Sequence, residues 1–201
     1  PPTRTSTKKP TWQLYVFQPL QTVKGFGAAW TDATVKTFDS LPSNAQEQLL
    51  NELFTTSASG GGGGIGLSLM RHTIGQSDLS PDGEYSYDMN GGKADDSLAN
   101  FSLTSAGEAM ASWIARMNAV NPNITLFGSA WSPPQWMKVG AGSSSDNNRV
   151  DVNQHGDAYA NYMARYLEEF SKRGARVSAL TLQNEPLHSA DPAWTNYQSP
   201  E

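Results

Sequence analysis

The sequence predicts an α/β fold built on parallel β-strands, and two observations support this prediction. Short apolar runs alternate with longer segments in which apolar residues recur every three or four positions, which gives the order βαβαβαβ. The last short run, residues 177–182, lies between Gly174 and Pro186 and is too short for a helix, so we interpret it as a buried strand. Strands that alternate with helices in this way form a parallel sheet.

The N-terminal region begins with a polar, proline-rich arm at residues 1–10. Residues 12–23 alternate roughly between apolar and polar side chains, so we expect extended structure there. The short apolar segment 25–30 leads into Thr31 and Asp32, where a helical region is expected to begin.

A second helix of about three turns is predicted after Pro42, because the leucine and phenylalanine side chains at 49, 50, 53 and 54 recur with helical spacing. The five glycines at 60–64 are not followed by the Lys and Ser or Thr of a phosphate-binding loop, so they indicate a flexible connection. Residues 65–74 are the next predicted strand.

The second half of the chain repeats this alternation. Residues 77–96 form a polar and aromatic loop, and residues 104–120 carry a stripe of Met and Trp that predicts a helix packed on the core. A strand is predicted at 124–131, followed by a Gly/Ser/Asn loop at 140–149. A helix with one aromatic face is predicted at 159–170, with Gly174 as its C-cap.

The composition limits the range of functions. The formal net charge is −5 and the pI about 5.2, which argues against nucleic acid or an anionic membrane as a partner. Only 16% of the residues are charged and six are Trp, a balance that suits a secreted protein acting on neutral polymers. The chain has no Cys, so it can form neither a disulfide nor a thiolate metal site. No apolar run approaches the ~18 residues of a membrane span.

Two common catalytic arrangements find no support in the sequence. The three histidines, His72, His155 and His188, are single and scattered, and no H-E-x-x-H pattern is present. A Ser-His-Asp triad would need a nucleophile elbow of the form G-x-S-x-G, which is also missing. We therefore expect neither a metal nor an organic cofactor.

The strongest candidate for catalysis lies at the end of the last predicted strand, where Asn184 and Glu185 follow the apolar run. Catalytic residues collect at the carboxyl ends of the strands in βα-repeat folds. A solvated glutamate at a strand end is the simpler explanation of these two residues taken alone.

The two preceding strands end in polar or aromatic residues as well. Arg71 lies near the end of one, with Asp78 shortly after it, and Trp131 ends the next, with Trp136 five positions later. Because the carboxyl ends of parallel strands meet on one face, these groups could converge in a carbohydrate site. Each also has a structural explanation, since Arg71 and Asp78 could form an ion pair and Trp131 could fill the core.

Six motifs appear in an order that resembles glycoside hydrolase family 30, the glucosylceramidase and endo-β-1,6-glucanase group. The resemblance extends from about residue 21 to residue 190, and the segments 25–32 and 70–75 look most like those of fungal secreted β-1,6-glucanases. The motifs are Gly-Phe-Gly-Ala-Ala-Trp-Thr-Asp at 25–32, Arg71 followed by Ile-Gly-Gln-Ser-Asp-Leu-Ser at 74–80, Tyr-Ser-Tyr-Asp at 85–88, Asn-Phe-Ser at 100–102, Trp-Ser-Pro-Pro-Gln-Trp-Met-Lys at 131–138 and Thr-Leu-Gln-Asn-Glu-Pro at 181–186.

This resemblance implies a (β/α)₈ barrel with a flanking β-domain and a retaining β-glycosidase mechanism. Glu185 would be the general acid/base, and Asn184 would hydrogen-bond the 2-hydroxyl of the sugar in a contact that strengthens in the transition state. Arg71 matches an arginine that orients the active-site carboxylates.

The same resemblance assigns substrate binding to several further residues. Asp78 and Trp131 match residues that hold the glycone sugar, whereas Leu79 stands where glucosylceramidases tend to have an aromatic residue. Trp136 could form a second wall of the site or belong to the core.

A retaining mechanism also needs a nucleophilic carboxylate close to the acid/base. In this family the nucleophile comes from a strand near the end of the barrel. Here Asp191 and Glu201 are the only carboxylate residues after Glu185, and neither lies in a strand-like stretch of sequence. Four βα units also cannot close an eight-stranded barrel, which typically takes ~250 residues. We therefore expect residues 25–201 to be the first half of the barrel, after an arm and a possible side-domain strand at 1–24, with the nucleophile beyond this chain.

The sequence hypothesis is a secreted, retaining endo-β-1,6-glucanase that acts on β-glucan. A β-glucosidase or glucosylceramidase acting on a β-glucoside, and a glucan-binding fragment without catalysis, are the alternatives. Asn100 and Asn123 lie in N-glycosylation patterns, which matter only in a secreted protein. The oligomeric state is not predicted.

Overall fold

A single sheet of four parallel strands organises the described residues, which are 15–18, 20–56, 63–81, 83, 85–139 and 150–185 of this computed structural model. The spatial order β1-β2-β3-β4 follows the chain order, so each crossover places the new strand beside the previous one, as in a (β/α)₈ barrel. The strands are β1 (Ala29–Trp30), β2 (Leu69–Ile74), β3 (Thr125–Ala130) and β4 (Ala179–Thr181).

In the described part of the chain, four α-helices connect these strands or lie against them. They are α1 (Asp32–Asp39), α2 (Ser43–Phe54), α3 (Thr104–Val120) and α4 (Val152–Lys172). The predictions for α1, α2 and α3 are confirmed, and α3 has the predicted bounds. Helix α4 begins seven residues before the predicted 159, because the side chain of Asp151 caps its polar first turn by accepting from the backbone N–H of Gln154.

The core lies between the outer face of the sheet and the helices. Met70 and Ile74 of β2 are buried on this face, and they meet an aromatic layer supplied by α4, which includes Tyr166 and Phe170. Each of these four side chains is at most 1% exposed. Because side chains alternate along a strand, Arg71 points to the opposite, inner face, where a barrel has its interior.

The strand predictions are correct in type but too long, and one prediction of burial is wrong. The predicted strand 65–74 begins only at Leu69, and residues 15–18 form a turn in place of extended structure. The predicted buried strand 177–182 is the short edge strand β4, whose Ala179 and Thr181 are exposed because β3 alone flanks it in the described residues. Most of the predicted glycine connection and the predicted loop at 140–149 lie outside the described residues.

Within the described part of the chain, no helix combines the length and apolarity needed to cross a bilayer.

Candidate active site

Arg71 is the centre of a cluster that joins the ends of three strands. Its Nη2 donates one hydrogen bond to Oδ1 of Asn184 at 2.5 Å and another to Oγ of Ser129 at 2.9 Å. The guanidinium carbon also lies 4.8 Å from the centroid of the Trp131 ring, a cation–π contact. Residues from β2, from β3 and from the segment after β4 therefore meet at one face of the sheet.

The electrostatics of this cluster include Glu185. Partial burial lowers the pKa of Arg71, and the carboxylate of Glu185 opposes that shift by raising the pKa. The guanidinium stays charged, since the ordinary pKa of arginine is far above neutrality. Glu185 therefore lies within electrostatic reach of a cation that is itself held by Asn184.

Asn184 and Glu185 differ sharply in their surroundings. Asn184 is buried, and its backbone N–H donates to the carbonyl of Ala130 at 2.7 Å, which continues the pairing of β3 with the chain after β4. Glu185 is exposed and has a φ of 44°, in the left-handed region that costs a non-glycine residue roughly 1–2 kcal/mol. The chain turns there, which places an accessible carboxyl beside a buried amide.

A glycine at the end of β2 ties the loops after β2 and β3 together. Gly75 has a φ of 77°, and a Cβ at this position would lie 2.4 Å from the carbonyl oxygen of Ser132. The backbone N–H of Trp131 donates to the carbonyl of Ile74 at 3.0 Å, and Oγ of Ser132 donates to the carbonyl of Gln76 at 2.9 Å. This close approach fixes the backbone that carries the Trp131 ring.

The remaining predicted site residues, Asp78 and Trp136, form no hydrogen bond or ion pair with this cluster in the described part of the chain. Asp78 is exposed and forms no ion pair with Arg71 in the described residues, so the proposed structural pair is wrong. Trp136 is 2% exposed, its Nε1 donates to the backbone carbonyl of Asp88 at 3.0 Å, and its ring meets His155 edge-on. Of the two roles that the sequence left open for Trp136, the structure supports the core role.

Sequence reasoning missed two hydroxyl residues on the inner face of the sheet. Ser129 accepts from Arg71 as described, and Oγ1 of Thr181 donates to Oγ of Ser129 at 2.7 Å. Serine and threonine in strands are common, so only their positions two residues before Trp131 and three before Asn184 could have drawn attention to them.

A buried carboxyl, Asp88, was also missed as a site of unusual chemistry. Asp88 is fully buried, and no donor in the described part of the chain makes a well-aligned hydrogen bond to either carboxyl oxygen. Burial, and secondly the nearby charge of Asp95, raise its pKa to about 7, while the neighbouring indole N–H of Trp136 opposes part of this rise. Its backbone carbonyl accepts from the indole N–H of Trp136, so the loop after β2, which carries Asp88, is joined to the segment after β3.

The described histidines have structural surroundings. His72 is fully buried against the hydroxyl of Tyr166, and burial lowers its pKa to about 4, so it is neutral at ordinary pH. His155 contacts a carboxyl oxygen of Asp96 through Nδ1 at 2.7 Å. In the described ranges no group of three or more His, Asp or Glu side chains is arranged to hold a metal ion.

Comparison with known proteins identifies similar sequences and folds. Residues 23–199 match the model of the glycosyl hydrolase family 30 TIM-barrel domain. The chain is 45% identical over 178 residues to an endo-1,6-β-D-glucanase of Trichoderma harzianum, with 84% of this chain and 35% of that enzyme covered. It is 43% identical over 193 residues to an endo-1,6-β-D-glucanase of Neurospora crassa, with 93% and 39% covered.

Among solved structures, the chain is similar to the endo-β1,6-glucanase BT3312, with a TM-score of 0.74 and 28% sequence identity. The similarity covers 89% of this chain and 38% of that one. The chain thus spans between a third and two fifths of the length of these relatives, and its four parallel strands correspond to a partial barrel.

Proposed function

Because the chain belongs to glycosyl hydrolase family 30, we propose that it forms the first half of the barrel of a retaining endo-β-1,6-glucanase. The observation that carries the proposal is the cluster of Arg71, Trp131 and Asn184 beside the accessible carboxyl of Glu185. Such a cluster offers a proton-transferring group, a cation, an amide and an aromatic face at the carboxyl ends of the strands, where barrel enzymes have their active sites.

In this proposal Glu185 is the general acid/base. It protonates the glycosidic oxygen as the bond to the leaving sugar breaks, and it then removes a proton from the water that releases the second sugar. The reaction also needs a nucleophilic carboxylate about 5–5.5 Å away. We assign that nucleophile to a part of the enzyme outside these residues, which would complete the barrel.

The orientation of the Asn184 amide supports a contact with the sugar. Its Oδ1 accepts from Arg71, so the Nδ2 group is the end of the amide left to donate to a hydroxyl. A hydrogen bond to the 2-hydroxyl strengthens as the oxocarbenium-like transition state forms. Arg71 thus fixes which end of the amide faces the substrate.

Trp131 is half-buried, with Arg71 over its ring. The exposed part of the indole suits the apolar C–H face of a pyranose, which packs against aromatic rings. Asp78 is proposed as a second contact for the glycone sugar on the exposed loop after β2, where its carboxylate is accessible to hydroxyls.

The substrate assignment is tested by comparing two substrates on the purified enzyme. Hydrolysis of β-1,6-glucan polymer to oligosaccharides, at a kcat/KM well above that for an aryl β-glucoside, is the expected result. Preference for the aryl glucoside or for glucosylceramide would assign the enzyme to the glucosidase branch of the family. Glucan binding without any cleavage would contradict the enzymatic proposal.

We further propose that the enzyme is secreted, in keeping with its low content of charged residues. Asn100 and Asn123 are both exposed, so their side chains are accessible to a glycosylating enzyme. Expression in a secreting eukaryotic host should give a product whose mass falls after enzymatic removal of N-glycans. An unchanged mass would argue against use of these sites.

A further inference from the structure

The inner face of the sheet carries a layer of hydroxyl side chains below the proposed catalytic residues. Thr73, Ser129 and Thr181 are partners in register on β2, β3 and β4, so their side chains point to the same side at the same height. The interior of a barrel is usually filled by bulky branched apolar residues. Three hydroxyl side chains in one layer depart from this pattern, which suggests that they have a role other than filling the core.

Two of these hydroxyls form a relay that ends on Arg71. Thr181 donates from Oγ1 to Oγ of Ser129 at 2.7 Å, and that oxygen also accepts from Nη2 of Arg71 at 2.9 Å. Ser129 is 1% exposed, so its hydroxyl is shielded from water at the point where both contacts meet. Thr73 differs, because its Oγ1 has no hydrogen-bond partner among the described residues.

The relay constrains the geometry of the arginine. Nη2 of a guanidinium carries two hydrogens, and here one goes to Ser129 and the other to Oδ1 of Asn184. With Ser129 holding one hydrogen, the planar group can direct the second only along a narrow range of angles. The hydroxyl of Ser129 thereby determines how firmly Arg71 holds the amide of Asn184.

We propose that Ser129 and Thr181 are positioning residues for the glycosidase reaction. Their hydroxyl pair fixes Arg71, and Arg71 fixes the Asn184 amide so that Nδ2 faces the 2-hydroxyl of the sugar. This inference rests on the proposed function and extends it to two residues that do not touch the substrate. A contact that strengthens in the transition state affects kcat more than KM when it is loosened.

The test uses conservative variants of the whole enzyme. Ser129→Ala should lower kcat about tenfold or more with KM changed less than about twofold, because it removes a hydrogen bond to a charged group. Thr181→Val removes the hydroxyl that donates to Ser129 but keeps nearly the same side-chain shape, and it should lower kcat by a smaller factor than Ser129→Ala. Thr181→Ser, which restores the hydroxyl, should recover the wild-type kcat.

Thr73→Val is the matched control, because it deletes a hydroxyl from the same layer that has no partner among the described residues. It should leave kcat within about twofold of wild type. Thermal unfolding of each variant verifies folding, and the Thr181 pair decides the matter if Ser129→Ala does not fold.

A second readout isolates the 2-hydroxyl. The kcat deficit of the Ser129 and Thr181 variants should largely vanish on an aryl 2-deoxy-β-glucoside, because that substrate lacks the group that Asn184 is proposed to bind. The positioning role would be overturned if the variants lost the same factor in kcat on the aryl 2-deoxy-β-glucoside as on the matching aryl β-glucoside. A wild-type kcat in the folded Thr181→Val variant would overturn it as well. If wild-type enzyme cleaves no β-glucoside or β-glucan, the proposed function itself fails, and the positioning role with it.

Discussion

The buried carboxyl of Asp88 makes the stability of the protein depend on pH, and Asp88→Asn should remove that dependence. The carboxyl has a pKa of about 7 in the fold, against an ordinary value of 3.8. Between these two values the unfolded chain has lost the proton and the folded chain keeps it, so the unfolded state binds fewer protons. Stability therefore falls as the pH rises from about 4 to 7, and it stays low above 7.

The size of the effect follows from the shift and from the surroundings of the group. The rise of this pKa from 3.8 to about 7 sets a ceiling of about 4 kcal/mol on the loss of stability. Water that enters the loop around the ionised carboxylate lowers this cost, so we expect about 2 kcal/mol. Within the described ranges, the ionisable groups whose electrostatics involve Asp88 are Asp95 on its own loop and Tyr162 of α4, and neither supplies a positive charge.

The assay is thermal unfolding of wild type and Asp88→Asn at pH 5 and pH 8.5. At pH 8.5 the variant should unfold roughly 4–8 °C above wild type, and at pH 5 the two should differ little. Asp157→Asn is the control, since it removes the same charge from an exposed position on α4 and should give no such pH-dependent difference. Parallel profiles for wild type and Asp88→Asn over this range would refute the reasoning.

Two further predictions concern the ends of the strands. In a urea titration, Gly75→Ala should lower the free energy of unfolding by about 2 kcal/mol or more, because the added Cβ would lie 2.4 Å from a backbone oxygen and the φ is 77°. Gly83→Ala is the control: its φ is 84° but the space around it is open, so the same titration should show a smaller loss. Arg71→Lys should lower kcat/KM on glucan about a hundredfold, because an ammonium group cannot replace the planar guanidinium that binds Ser129 and Asn184 and lies over the Trp131 ring. A kcat/KM within about threefold of wild type would contradict the central role of this arginine.

The sequence predicted the order of elements because most of them carry strong periodic signals. The Met and Trp stripe of α3 gave its bounds, whereas the first turn of α4 carries no apolar signal and depends on the side-chain cap from Asp151. The burial of β4 was predicted wrongly. An apolar run shows that a strand could be buried, but among the described residues β4 has a neighbouring strand, β3, on one side only.

For the site, motifs at strand ends predicted that Arg71, Trp131 and Asn184 would meet, and they do. The sequence did not show that Asp78, on the loop after β2, would be exposed and would form no ion pair with Arg71, because loop paths depend on contacts such as the one at Gly75. It also gave no sign of the Ser129 relay, since a hydroxyl in a strand becomes informative only when its register is known. The catalytic roles themselves stay predictions.

The assignment of Glu185 as general acid/base is tested most directly by Glu185→Gln in the whole enzyme, with two substrates that differ in their leaving group. Hydrolysis of β-1,6-glucan, whose sugar leaving group needs a proton, should fall by about 10²–10⁴-fold. Formation of the glycosyl-enzyme from a dinitrophenyl β-glucoside, whose leaving group departs without a proton, should fall far less in a pre-steady-state burst. Near wild-type hydrolysis of glucan by the folded variant would contradict the account.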